Sequence, residues 1–260
     1  MLKRRVQPKK QPIVVDVLTG YAHWAKNYPA KAHNPFMEIE ERAMLALLPT
    51  DLRGQICLDL ACGSGRYLRL MQARQAERVF GLDYSADMLV QASHPKSKLS
   101  RSKIRGVRHA SRQMPSGAAS EDASSSKLDL LKLVRSPFLA LPFGTDTFDL
   151  IMCGLAVGHE KNLHRILAEA ARVLRPGGLM IYSDFHPFGT LSGWQRAFTT
   201  ANGNTFHLEH YAHLYQDHFQ AGQSAGLMIT AVLEPTAGPY APPGFQEMPV
   251  VLVIRAEKGS

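Results

Sequence analysis

Two periods of apolar spacing run through this chain. Short apolar runs of strand length fill Ile56–Leu60, Arg78–Asp83, Leu131–Arg135 and Phe148–Gly154, with another at 179–183. Nearly continuous runs of this kind suit strands buried on both faces. Between them the spacing becomes helical. Ile166, Leu167, Ala170 and Leu174 share one face of 163–174, and helices are also expected over 65–75 and 85–93. Nearer the N-terminus, 13–48 reads as two helical segments. In the second, Phe36, Ile39, Ala43, Met44 and Leu47 recur at helical spacing until Pro49 stops the pattern. A last helix is expected over 208–225. Strands at Leu227–Leu233 and 250–255 follow, joined by a Pro- and Gly-rich loop, 235–249.

Strands that alternate with helices predict an α/β fold with a doubly wound, mostly parallel seven-stranded sheet whose last two strands form an antiparallel edge. The pattern fails over 94–127, which is rich in Ser, Lys and Arg, poor in apolar residues and carries Pro95 and Pro115. Structureless loops longer than about 12–15 residues are uncommon in compact domains. This stretch is therefore read as a mobile insertion before the third strand. The expected organisation is a tail and helical lid over 1–49, then a catalytic body over 50–260 that carries the insertion.

Composition changes this picture in three places. The formal charge of +8 suggests nucleic acid, but the excess sits in residues 1–15 and 94–127, and the remainder holds more acid than base. Nucleic acid is thus a disfavoured partner. A basic strip on a solvated loop would instead suit an acidic macromolecule. The cysteines Cys57, Cys62 and Cys153 form no C-x-x-C pair, which suits a reducing, cytoplasmic setting. No run approaches the ~18 apolar residues of a membrane span. The N-terminal residues lack the apolar core of a secretory signal and read as a short tail.

The chemistry concentrates at Asp59-Leu60-Ala61-Cys62-Gly63-Ser64-Gly65, where a strand breaks into glycines before a helix. Nucleotide-like ligands bind at such a turn, and an acid at the tip of the next strand, here Asp83, meets the ribose hydroxyls. Dinucleotide folds place a third glycine where Leu68 stands. Asp59 would also repel a pyrophosphate, whereas it suits an ammonium group. The loop resembles motif I of the class I S-adenosylmethionine methyltransferases. The likeness extends to Val79–Leu89, to Leu141-Pro142-Phe143 with Phe148-Asp149, and to Arg172-Val173-Leu174-Arg175-Pro176-Gly177-Gly178. Four motifs in order make it specific over roughly residues 50–185. Within the family the sequence is similar to the branch containing malonyl-carrier-protein O-methyltransferases and quinone methyltransferases.

The resemblance implies a cofactor, S-adenosylmethionine, and a site. Ala61, Gly63 and Gly65 would let the backbone approach its methionine part, with helix-terminal amides facing the carboxylate. Asp59 would take the amino group and Asp83 the ribose. Tyr84 and Met88 would pack on ribose and adenine, with Gly154 and Leu155 beside the sulfonium. Tyr28, or next Tyr21, would close the methionine end from the lid. Pro137 occupies the position of an adenine-binding aspartate, which leaves a backbone bond near Phe138. His159 faces the acceptor in relatives and is a candidate general base with a near-neutral pKa; a purely structural role is equally open. His186, His207, His210, His213 and His218 are spaced too loosely for a metal site. One or two of them, with Tyr211, Tyr215 and Trp194, would line an acceptor pocket. The expected activity is methylation, with oxygen favoured, of a small molecule or an acid on an acidic carrier protein. An RNA methyltransferase and a non-catalytic cofactor binder are the alternatives.

Overall fold

The computed structural model describes residues 12–94, 131–200, 202–241 and 243–260. The first eleven residues and 95–127 lie outside them, and with them most of the expected tail and of the expected insertion.

The body is a seven-stranded sheet. Its strands are β2 (Ile56–Leu60), β3 (Arg78–Asp83), β4 (Leu131–Arg135), β5 (Phe148–Gly154), β6 (Leu174–Phe185), β9 (Leu227–Leu233) and β10 (Val251–Lys258), in the order β4-β3-β2-β5-β6-β10-β9. All adjacent pairs from β4 through to β6 are parallel. β10 enters between β6 and β9 and runs antiparallel to both, so the last two strands pair as an antiparallel hairpin at the edge of the sheet, with β9 outermost.

Helices cover both faces, and side-chain alternation sorts the core between them. Cys57 packs with α2 (Pro35–Leu47) and α3 (Arg66–Ala73), whereas Leu58 and Leu60 pack with α5 (Leu163–Val173) and the residue Ala221 of α7 (Tyr215–Ser224). β10 repeats this, with Val251 and Val253 on the first face and Leu252 and Ile254 on the second. Caps set where helices begin. Asn34 accepts the Met37 amide, Asn162 the Arg165 amide, and Ser85 the Met88 amide at the start of α4 (Ala86–Ser93). Each satisfies a backbone donor that the helix leaves unpaired.

Two expectations change. The segment 208–225 is not one helix. Its first part ends β8 (Thr205–Leu208), and α7 begins only at Tyr215, where Asp217 accepts the Leu214 amide. β8 belongs to a second, three-stranded sheet, ordered β1-β8-β7, with β1 at Ile13–Val15 and β7 at Ala197–Thr199. The N-terminal helices also differ in role. α1 (Val17–Trp24) joins this small sheet, since Leu208 fills the space where a Gly20 side chain would lie. α2 instead sinks into the body: Glu40, fully buried, accepts hydrogen bonds from the hydroxyls of Tyr67 and Ser183 at 2.7 and 2.6 Å and pairs with Arg66 at 2.6 Å.

Candidate functional site

The chain leaves β2 for β3 on one side and returns to β5 on the other. Crevices at such a reversal, beyond the carboxyl ends of the strands, hold ligands in open α/β sheets. Here both strands leave the sheet through a non-glycine residue in the left-handed region, Ala61 (φ 58°) after β2 and Leu155 (φ 55°) after β5. Such conformations are sparsely populated and persist where the surroundings impose them. Leu155 is held on both sides: its N–H donates to Ser183, and its carbonyl accepts from Arg196. Gly63 (φ 53°) completes the turn, with nothing within 4 Å of where a Cβ would stand.

These strand ends open into a cavity of about 400 Å³. Asp59 and Asp83 both line it. Asp59 is 1% exposed and accepts the Leu68 amide of α3 at 3.0 Å. Burial pushes its carboxyl up to about 8. Asp83 accepts two amides, from Gly63 to Oδ2 at 2.7 Å and from Ser85 to Oδ1 at 2.8 Å. Burial raises its pKa, against the lowering effect of those donors. Among the described residues neither carboxylate forms an ion pair. A carboxylate offers about four lone-pair sites and a neutral carboxyl keeps part of that capacity, so both can still accept from a ligand.

Residues 58–182 match the methyltransferase domain family. Over these residues the chain carries a methyltransferase domain.

Proteins named as methyltransferases are among its relatives. An uncharacterised protein of Haemophilus influenzae is 32% identical over 152 residues, covering 58% of this chain and 50% of its own length. A 2-phytyl-1,4-naphtoquinone methyltransferase of Nostoc punctiforme is 31% identical over 51% of this chain and 47% of its own. The chain thus spans about half the length of the curated relatives it matches. An S-adenosylmethionine-dependent methyltransferase from Mesorhizobium loti shares the fold, with a TM-score of 0.60 and 20% identity over 85% of this chain and 98% of that one.

The methyltransferase domain gathers most of the expected residues around its cavity. Ala61, Gly63, Tyr84, Met88 and Phe138 line it on the side of β2 and β3, with Gly154, Leu155 and His159 opposite. Tyr28 and Tyr21 both face it from the N-terminal segment, so the cavity wall includes both candidate lid tyrosines. Pro137 is a wall residue too. The two carboxylates, the open Gly63 turn and these aromatic walls fit S-adenosylmethionine.

Gly65 is the exception and corrects the expectation. It does not line the cavity; it is the left-handed cap of α3 (φ 83°), and a Cβ there would meet Arg69 Nη1 at 2.9 Å and Leu68 at 3.1 Å. Its role is to turn the chain beneath packed side chains.

The proposed titration of His159 is corrected as well. Its Nδ1 faces the Glu209 carbonyl at 3.0 Å, and its Nε2 lies 2.6 Å from Arg196 Nη1 and 3.1 Å from the Tyr21 hydroxyl. Arginine can only donate, so Nε2 is the acceptor and the ring is the neutral tautomer protonated on Nδ1. Burial and Arg196 together hold its pKa well below the usual value. A lone pair engaged by a cation is a poor base, and His159 instead fixes Arg196.

Four of the other candidate histidines are engaged within the fold. His210 bonds Asp184 at 3.0 Å, His213 the Glu160 carbonyl at 2.8 Å, and His218 meets the Tyr182 hydroxyl at 3.3 Å. His186 bonds Glu234 at 3.1 Å. None of these lines the cavity, nor does Tyr211 or Tyr215. No cluster able to hold a metal occurs among the described residues, and no described helix is long and apolar enough to cross a membrane. The sequence reading missed Arg196 and Glu209, which line the cavity from the small sheet's flanks. Isolated charges with no periodic neighbours offer no signal in a sequence.

Proposed function

We propose that this chain transfers a methyl group from S-adenosylmethionine to a small-molecule acceptor. The observation that carries the reading is the pairing of Asp59 and Asp83 at the tips of β2 and β3 around the open Gly63 turn. When bound, the cofactor supplies a methyl group on a sulfonium, an electrophile that needs no further activation. The chain supplies position and dryness. Asp83 holds the ribose, and Asp59 takes the ammonium group. The first amides of α3 face the carboxylate. Tyr84, Met88 and Phe138 sandwich the base. Gly154 and Leu155 carry the sulfonium end, and Tyr21 and Tyr28 exclude water above it. Alignment and water exclusion are the main sources of rate in such a displacement.

The relatives named for quinones support a small acceptor with an apolar body. Oxygen as the acceptor atom, with a carrier-bound acid as an option, rests on the sequence resemblance. Calorimetric titration with S-adenosylhomocysteine tests the cofactor site. At a hundredfold excess over Kd it should add about 2.7 kcal/mol of stability. Transfer of labelled methyl from S-adenosylmethionine to an extractable product tests the activity. Binding without transfer across an acceptor panel would favour a non-catalytic binder. Absence of binding would refute the reading.

A further inference from the structure

A second cavity, of about 640 Å³, lies beside the first and shares Tyr28, Leu155 and Arg196 with it. Its remaining walls are mainly apolar and aromatic, among them Trp24, Phe36, Phe185, Trp194, Tyr240 and Phe245. Two of these come from the Pro- and Gly-rich loop between β9 and β10, which gives that loop a place at the site. At the common wall stands one cation. Arg196 is 9% exposed and forms no ion pair among the described residues. Its Nη1 and Nη2 meet neutral acceptors, the His159 ring and the Leu155 carbonyl, and its guanidinium lies 4.8 Å from the centre of the Phe185 ring. Asp184 feels the charge, but its hydrogen bonds come from His210 and the Phe185 amide.

Burying a guanidinium without a carboxylate is costly. Here three neutral groups hold it at the boundary of two cavities, where an incoming anion would complete it. We propose that the second cavity is the acceptor site and that Arg196 selects an organic acid, an apolar body bearing an oxyanion. The assignment rests on the methyltransferase reading above. The cofactor's own carboxylate faces the α3 amides, which leaves Arg196 for the acceptor. His159 is a positioning residue here: it holds the guanidinium in place and touches neither ligand through its engaged Nε2. The same geometry disfavours neutral acceptors, because they would seal the cation away from water without pairing it.

Both tryptophans of the chain, Trp24 and Trp194, line this cavity, so intrinsic fluorescence reports its filling. The probes are 2-naphthoate and octanoate, each against its neutral amide, titrated in saturating S-adenosylhomocysteine. At least one acid should bind about tenfold or more tighter than its amide, the value of a charge-assisted hydrogen bond. R196Q should lose that preference and R196K should keep part of it, each read in saturating S-adenosylhomocysteine so that any shift of Leu155 is common to acid and amide. A241F should block the probes by filling the cavity from the β9–β10 loop. Equal binding of acid and amide, or no binding of any probe to a protein that does bind S-adenosylhomocysteine, would overturn the assignment. So would an R196Q that keeps the wild-type preference for acid over amide, which would leave Arg196 to the cofactor side alone. Failure of wild-type protein to bind S-adenosylhomocysteine would instead sink the methyltransferase reading beneath it.

Discussion

Replacing Asp83 with asparagine changes one atom group and tests the centre of the site. In the wild type both carboxylate oxygens accept backbone amides, Gly63 at 2.7 Å and Ser85 at 2.8 Å. An amide side chain must turn its NH₂ toward one of them, whichever way it is flipped. A donor then faces a donor, and one buried N–H is left unmet, at about 1–3 kcal/mol. Part of this is offset, because the wild-type carboxylate is itself raised by burial and the amide carries no charge to desolvate. A net loss of about 1–2 kcal/mol in stability follows. Ligand binding suffers more. Two charge-assisted bonds to the ribose become at best one neutral bond, a loss of about 1.5–3 kcal/mol, or roughly 10- to 150-fold in Kd. Calorimetric titration of S-adenosylhomocysteine into Asp83→Asn, with a urea melt of the same sample, measures both. A folded variant whose affinity stays within twofold of wild type would remove Asp83 from the ribose site. A variant that loses affinity only in proportion to its unfolded fraction would make Asp83 a turn residue and nothing more.

Three further outcomes are expected. Asp59, with its carboxyl at about 8, is largely protonated at pH 7 without ligand, so binding an ammonium beside it should release close to one proton; titrations of S-adenosylhomocysteine in buffers of different ionisation enthalpy measure this, and zero release would place the amino group elsewhere. A Gly154→Ala methyl would lie 2.4 Å from the Tyr67 ring and 3.2 Å from Glu40; it should push Tyr67 off Glu40 and cost about 1–3 kcal/mol, and an unshifted denaturant midpoint would contradict that packing. His218 is held down at about 4 by burial, so the native state resists protonation that the unfolded chain accepts near 6.5; stability is full above pH 6.5 and falls toward pH 4 by about 3 kcal/mol from this group, and the pH slope of wild type and His218→Gln should differ by that amount.

The body of the fold was legible because buried parallel strands leave continuous apolar runs and their turns need particular residues. Arg78–Asp83 and Phe148–Gly154 are strands over the ranges that the pattern predicts. Gly63 likewise stands at a left-handed turn where the glycine loop was read. The small sheet was not legible. Its strands run three, three and four residues, too short for a period to show. The 208–214 stretch, free of Gly and Pro, looked helical because nothing local marks it as extended. The site divides in the same way. Asp59 and Asp83 announce themselves at strand ends. The state of His159 is set by Arg196, thirty-seven residues away in sequence, and no local reading of Val157-Gly158-His159 reaches it. The second cavity needs α2, the Trp194 turn and the β9–β10 loop together, so it exists only in the folded chain.

The pairing of β1 with β8 has a consequence for assembly. Ile13 meets Phe206, and Val15 meets Leu208. A chain made from its N-terminus completes β2 through β6 while β1 still lacks a neighbour. Closing a loop of that length is slow and comes late. The small sheet that roofs the cavity therefore closes only after β2 through β6 are made, and its strands run only three to four residues. It is the unit that local opening would release first, which gives ligands a way in and out that leaves the seven-stranded sheet intact.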